Sequence, residues 1–298
     1  MDVLITGASG LVGTALTGAL EARGDRAVAL SRSGGVPSWD PSRARIDADA
    51  IEGFDAVVHL AGAGIGDKKW TDDRKQEILQ SRTKGTRLLA ETLAGLDRKP
   101  SVCVSASAVG YYGAHLDDEV FTEESSPGSD FLADVCVAWE TAITPAEEAG
   151  IRVARVRSGV VLSPDGGVLK RMLFPFKMGL GGRIGTGEQY MSWISLDDEV
   201  GAILHVLDGD LSGPVNLTAP NPVTNGQYTK TLGDVVRRPT ALPTPIRPLK
   251  VMYGMELVHH LLLSGQRVLP RRLEASGYPF RHPDLEGALR ALLDRPAR

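Results

Sequence analysis

An α/β fold, a doubly wound parallel sheet with helices on both faces and a small, mostly helical C-terminal region, is predicted by three observations. Strand-like and helix-like stretches alternate from the N-terminus to about Arg157. A glycine-rich turn, Thr6 to Gly13, joins the first strand to the first helix. From Ser163 the texture changes, and glycine and proline crowd the chain up to Gly187.

The elements follow in order. Val3-Leu4-Ile5 reads as the first strand and Leu11 to Leu20 as an amphipathic helix. Ala27 to Leu30 is a second strand, Ile46 marks a short third, and Asp55 to Gly62 a fourth that ends in small residues. Asp72 to Leu96 has a helical pattern, Ser101 to Ser105 is the next strand, and Phe131 to Ala149 the next helix. Ile151 to Arg157 alternates charged and apolar residues, as a strand with one wetter face does. Pro164 to Gly187 reads as irregular backbone, Glu199 to Leu207 as a helix capped by Asp198, and Asp284 to Leu293 as a final helix after a basic, proline-punctuated stretch from Arg237 to Arg272. Two domains are expected: residues 1–220, with 163–193 as a glycine-rich substrate-side segment, and residues 221–298.

The composition is that of an ordinary globular protein, 42% hydrophobic and 23% charged, and 298 residues suffice for a full core. A net charge of −4 favours neither nucleic acid nor an anionic membrane as partner. The two cysteines, Cys103 and Cys136, read as unpaired thiols of a reducing compartment. No apolar run approaches membrane-spanning length and Met1-Asp2 leads straight into a strand, so a cytoplasmic protein is expected. The six histidines lack metal-ligand spacing, and no metal is expected.

The glycine turn points to a nucleotide. Gly7 suits a tight turn of positive φ, Gly10 lets the backbone approach a pyrophosphate, and Gly13 lets the helix pack on the strand. Ser9, Leu11 and Val12 complete the turn, and the free N–H groups of the helix start face the phosphates. The end of the second strand reports the choice of dinucleotide. An acid there accepts hydrogen bonds from the ribose 2′-OH of NAD, but this chain has Ser31-Arg32. Arginine with a hydroxyl suits a 2′-phosphate, so NADP(H) is the expected cofactor.

The spacing Gly7-x-x-Gly10-x-x-Gly13 resembles the extended short-chain dehydrogenase/reductase family, which includes sugar-nucleotide epimerases and dehydratases. Further segments match in order. His59-Leu60-Ala61-Gly62 is similar to the family's segment along the cofactor, which implies contacts from Leu60, Ala61 and Gly62. Ser105 to Gly113 resembles the serine-rich strand end followed by Tyr-Gly, with one extra residue. The resemblance places Ser107 as the catalytic hydroxyl and leaves Tyr111 or Tyr112 as proton donor. Arg157 to Pro164 resembles the strand that closes over the nicotinamide, which implies a contact from Val160.

Atypical members known as epimerase family proteins are matched more closely. Gly179 to Gln189 followed by Trp193-Ile194 is typical of them, as is Gly265 to Leu273 followed by Gly277-Tyr278, which resembles their C-terminal domain of unknown function. In that subgroup Ser81-Arg82 recurs on the helix after the fourth strand, which makes Arg82 and Glu77 candidate cofactor contacts. One departure stands out. The family's Tyr-x-x-x-Lys pair, its general acid/base and the lysine that tunes it, falls on Phe131 and Val135 here, and no lysine elsewhere has tyrosine four residues before it.

Two functions are expected from these residues. The first is an NADP(H)-binding, epimerase/dehydratase-like oxidoreductase with an unconventional acid/base, acting on a small-molecule substrate as a monomer or homodimer. The alternative is a dinucleotide-binding sensor or scaffold that has lost turnover. A structural protein with an empty nucleotide fold fits least well with Arg32 and intact glycines.

Overall fold

The computed structural model describes residues 1–32 and 35–295. β1 (Asp2–Thr6) leads into α1 (Leu11–Ala22) and β2 (Arg26–Leu30). A small hairpin, β3 (Trp39–Asp40) and β4 (Arg45–Ile46), precedes β5 (Ala56–His59), α2 (Asp72–Gly95) and β6 (Val102–Ala108). Then come β7 (Val120–Phe121), α3 (Phe131–Ala142), α4 (Thr144–Glu148), β8 (Arg152–Ser158) and β9 (Val160–Leu162). The chain continues through α5 (Gly167–Lys177), β10 (Tyr190–Met191), β11 (Trp193–Ser195), α6 (Leu196–Asp208) and β12 (Gly213–Leu217). It closes with β13 (Val223–Thr224), α7 (Asn225–Val236), α8 (Ile246–Tyr253), α9 (Met255–Val258), β14 (Arg267–Val268), α10 (Arg271–Ala275) and α11 (Leu285–Leu292).

Six strands form one parallel sheet in the order β12-β8-β6-β5-β1-β2. The order reverses between β1 and β5, and open α/β sheets bind ligands in the crevice at such a switch point. Alternate residues of each strand face opposite helical layers, because side chains along a strand alternate sides. Val3, Ile5, Val58 and Val104 join the core under α1 and α6, whereas Leu4, Val57 and Cys103 join the core under α2 and α4. A third core gathers Leu162, Leu173, Trp193, Tyr228 and Leu289, drawing on α5, α7 and α11.

Several expected elements take another form. Ile46 does not enter the central sheet; it pairs antiparallel with Trp39 in the β3–β4 hairpin. The helix expected from Phe131 to Ala149 breaks at Ile143 into α3 and α4, with Pro145 in the first turn of α4, where a missing N–H costs nothing. The stretch expected as irregular contains α5, whose Leu169, Leu173 and Phe176 fall on one buried face despite Pro175. Asp198 is not the cap of α6. That role belongs to Ser195, whose Oγ accepts from the Asp198 N–H at 3.1 Å.

Candidate cofactor and active site

The glycine turn has no room for side chains. Gly7 has φ +73°, and a Cβ there would sit 2.9 Å from the Leu60 carbonyl carbon, so the ends of β1 and β5 nearly touch. A Cβ on Gly13 would lie 2.2 Å from Gly7 O, which only glycine avoids. Gly10 donates to Gly7 O at 2.9 Å and is exposed, as is Ser9. No side chain caps the start of α1 at Gly10, so the first-turn N–H groups at Leu11 and Val12 are left to meet an anion. Across the crevice, a Cβ on Gly166 would approach Leu11 Cδ1 at 3.0 Å.

Thr6 and His59 brace this junction. Thr6 Oγ1 accepts from the Leu60 and Ala61 N–H groups at 3.2 and 3.3 Å and lies 2.7 Å from His59 Nδ1. The other ring nitrogen is 2.8 Å from Thr86 Oγ1. Burial pushes the His59 imidazole down to about 4, so it is a neutral strut.

At the end of β2, Ser31 bridges to Ser38 and accepts from the Trp39 N–H at 3.0 Å. Arg32 follows, exposed and without an ion-pair partner among the described residues, while its neighbours Ser33 and Gly34 lie outside them.

α2 turns a cationic face to the loop after β5. The Arg82 Cζ lies 3.3 Å from where a Gly62 Cβ would be, and 4.9 Å from the Trp139 ring centre. Among the described residues Arg82 donates only to Ile78 O of its own helix, at 3.1 Å, and burial lowers its pKa. Ser81 Oγ accepts from the Ala63 N–H at 3.1 Å. Arg74 donates to Gly64 O and to Glu77 Oε2, the latter at 2.5 Å, which holds the half-exposed Glu77 beside the same loop.

The end of β6 is wired into a buried network. Ser107 Oγ donates to Glu140 Oε1 at 2.7 Å. Arg157 clamps Glu140 with Nε and Nη2 at 2.8 and 2.9 Å, and its Nη1 donates to the Tyr112 hydroxyl at 3.0 Å. Tyr112 in turn donates to Asn216 Oδ1 at 2.7 Å. This wiring argues against Tyr112 as the proton donor to substrate. Its ring is fully buried, its hydroxyl has two partners, and burial pushes its pKa up to about 12. Tyr111 is only partly buried, and its ring centre lies 3.4 Å from the Arg157 guanidinium carbon.

Phe131 and Val135, where the resemblance puts the Tyr and Lys positions, differ in surroundings from their neighbours Leu132 and Cys136. Phe131 packs against Trp70 at 5.3 Å, with Lys75 Nζ 5.3 Å from its ring centre, on the α2 side. On α3, Glu140 reaches Ser107 of β6, and Leu132 and Cys136 pack on the turn that follows that strand. A Cβ on Gly110 would be 3.5 Å from Leu132 Cβ and 3.7 Å from Cys136 Sγ. Burial and the nearby Glu140 push the Cys136 thiol up to about 12. Leu132, Cys136, Glu140 and Arg157 escaped the sequence reading, because helix rotation and buried ion pairs are set by tertiary packing.

A profile of the NAD dependent epimerase/dehydratase family matches residues 3–217. The chain belongs to the NAD dependent epimerase/dehydratase family. A domain of unknown function (DUF1731) matches residues 244–292. An epimerase family protein of Mycobacterium tuberculosis is 44% identical over 299 residues, covering 99% of this chain and 98% of its own. The human epimerase family protein SDR39U1 is 35% identical over 300 residues, covering 98% and 100%. The crystal structure of that human protein (isoform 2) with NADPH superposes with a TM-score of 0.91 at 34% identity, covering 99% of this chain and 100% of its own. A nucleoside-diphosphate sugar epimerase from Corynebacterium glutamicum gives 0.81 at 38% identity, covering 98% of this chain and 58% of its own. Among the described residues, no helix is long and apolar enough to cross a membrane.

Proposed function

We propose that this family member binds NADP(H) and acts as an epimerase/dehydratase-like oxidoreductase without the usual Tyr-x-x-x-Lys pair, on a small-molecule substrate. The observation that carries this reading is the cradle itself: glycines with no room for Cβ, an uncapped helix start, and two cations, Arg32 and Arg82, with no ion-pair partner among the described residues. A dinucleotide bound there supplies hydride chemistry. The NADPH in the human relative's structure supports the same choice.

Each residue then has a task. The open start of α1, with its free N–H groups at Leu11 and Val12 beside Ser9 and Gly10 and close to Gly13, receives the pyrophosphate, and Ser31 with Arg32 the 2′-phosphate. Leu60, Ala61 and Gly62 form the floor at the switch point, and Val160 lies on the strand opposite. Arg82, reaching over Gly62 from α2, supplies near the nicotinamide ribose the positive charge that the family lysine supplies elsewhere, and Glu77 restrains Arg74 beside it. Ser107 presents its hydroxyl oxygen, oriented by Glu140, to the reacting oxygen, and Tyr111 moves the proton there.

Arg82→Met tests the cradle. NADPH affinity should fall about tenfold or more, the scale of one charge-assisted contact, with the fold intact by circular dichroism. Unchanged affinity contradicts the assignment of Arg82.

The second reading, a dinucleotide sensor without turnover, is favoured by one observation. On the face of α3 against the turn after β6 stand Leu132 and Cys136, whose thiol burial pushes up to about 12, so neither offers the proton that a tyrosine there would. NADPH binding with no NADPH consumption across a panel of carbonyl compounds and sugar nucleotides selects it.

A further inference from the structure

We infer that the surface formed by α5, the loop after it and the segment leading through α8 docks on an anionic lipid bilayer. Two stretches build this surface, residues 166–187 and 235–255. Together they hold eight of the chain's 33 basic residues and none of its 37 acidic ones. The net charge of −4 hides this local asymmetry. The cations are Lys170, Arg171, Lys177 and Arg183 in the first stretch, and Arg237, Arg238, Arg247 and Lys250 in the second. Among the described residues only Arg171 has an ion-pair partner, Asp67.

The stretches run side by side. Arg238 Nε donates to Lys177 O, the Thr244 N–H to Arg183 O and Thr244 Oγ1 to Gly182 O, each at 2.8 Å. α8 follows directly and buries none of its residues.

Large apolar side chains stand out among these cations. Phe174, Met178 and Leu180 are 74%, 63% and 73% exposed in the first stretch, and Leu242, Val251 and Met252 are 78%, 74% and 61% exposed in the second. α5 already buries Leu169, Leu173 and Phe176, so Phe174 is not half of an unfilled core position. Exposure this high describes knobs that project outward, not the walls of a cleft. Projecting apolar groups interleaved with lysines and arginines, all but Arg171 outside the ion pairs of the described residues, match a bilayer surface, where the former enter the acyl boundary and the latter meet lipid phosphates. An acidic protein partner would satisfy the charge but leave the knobs without sockets.

Sedimentation of the full chain with vesicles tests this, using phosphatidylcholine alone and phosphatidylcholine with phosphatidylglycerol. The protein should pellet with the anionic vesicles, not with the neutral ones, and binding should fall as salt rises. Lys177→Glu with Arg247→Glu should weaken binding by about tenfold or more, since each basic residue near such a surface contributes appreciably. Phe174→Glu with Met252→Glu should abolish it. All four positions are solvent-facing, so circular dichroism and thermal unfolding should match the wild type. No pelleting with anionic vesicles, or pelleting undiminished in both folded double variants, overturns the inference. So does a concentration-dependent dimer that these substitutions dissociate without any vesicle binding, because the surface then serves a second copy of this chain.

Discussion

Gly10 and Gly13 illustrate how differently two glycines of one turn are constrained. Gly13 is forced by packing, because any side chain would drive into Gly7 O, whereas Gly10 is open to solvent with 3.2 Å to the same atom. Gly10→Val is therefore expected to fold yet lose NADPH binding, since the branched side chain occupies the path of the pyrophosphate. Titration calorimetry on the folded variant checks it; retained affinity means that the turn serves structure alone. The glycine spacing was legible because backbone conformation is a local property. Tyr111 and Tyr112 were indistinguishable in the sequence for the opposite reason. Only the fold shows that Arg157 and Asn216 hold the Tyr112 hydroxyl inside. Tyr111→Phe should consequently remove residual turnover and leave NADPH affinity unchanged. Tyr112→Phe should destabilise the fold by about 1 kcal/mol or more, because it strips a buried partner from Asn216 and Arg157. A Tyr111→Phe enzyme as active as the wild type contradicts this division of roles.

Among the elements, α6 carries a buried acid with a measurable signature. Glu199, in its first turn, is 2% exposed; one carboxylate oxygen accepts from Ser158 Oγ at 2.5 Å and the other has no partner. Burial raises its pKa to about 7 from 4.5, outweighing the Ser158 hydrogen bond. Its contribution to stability is thus complete below pH 4.5 and is lost as pH rises through about 7. Thermal unfolding of the wild type should weaken between about pH 4.5 and 7, by no more than about 3 kcal/mol, and level off above that, and Glu199→Gln should flatten the profile. Parallel profiles for the two proteins would refute it. Ser158 ends the strand just before Val160, so this proton sits directly behind the candidate nicotinamide wall. Element boundaries were legible where periodicity was clean, as in α1 and α2, and less so where proline interrupts it. Pro175 concealed α5, and Pro145 reset the helix after α3.

On the scale of the whole molecule, the sheet order was foreshadowed by alternating strands and helices, and the switch point by the glycine turn at the first strand. What the sequence did not disclose is how the C-terminal segment is fastened. Asp198 looked like a helix cap, yet its carboxylate accepts from the Arg281 and His282 N–H groups at 2.7 and 2.9 Å and from Tyr278 Oη at 3.2 Å. These partners are some 80 residues downstream, and no local pattern announces such pairings. Asp198→Ala should destabilise the chain by about 3 kcal/mol or more, since it leaves buried donors unsatisfied, and should increase proteolysis beyond α10. A change below about 1 kcal/mol would show that the C-terminal segment is held chiefly by its apolar contacts. Every role proposed for the site depends on NADP(H) binding in the crevice, with Arg32 reading the 2′-phosphate. Side-by-side calorimetric titration of NADPH and NADH, on the wild type and on Arg32→Asp, tests that most directly. The wild type should prefer NADPH by at least about tenfold, and Arg32→Asp should cost NADPH about 2 kcal/mol or more while sparing NADH. Equal affinity of the wild type for both cofactors would contradict it.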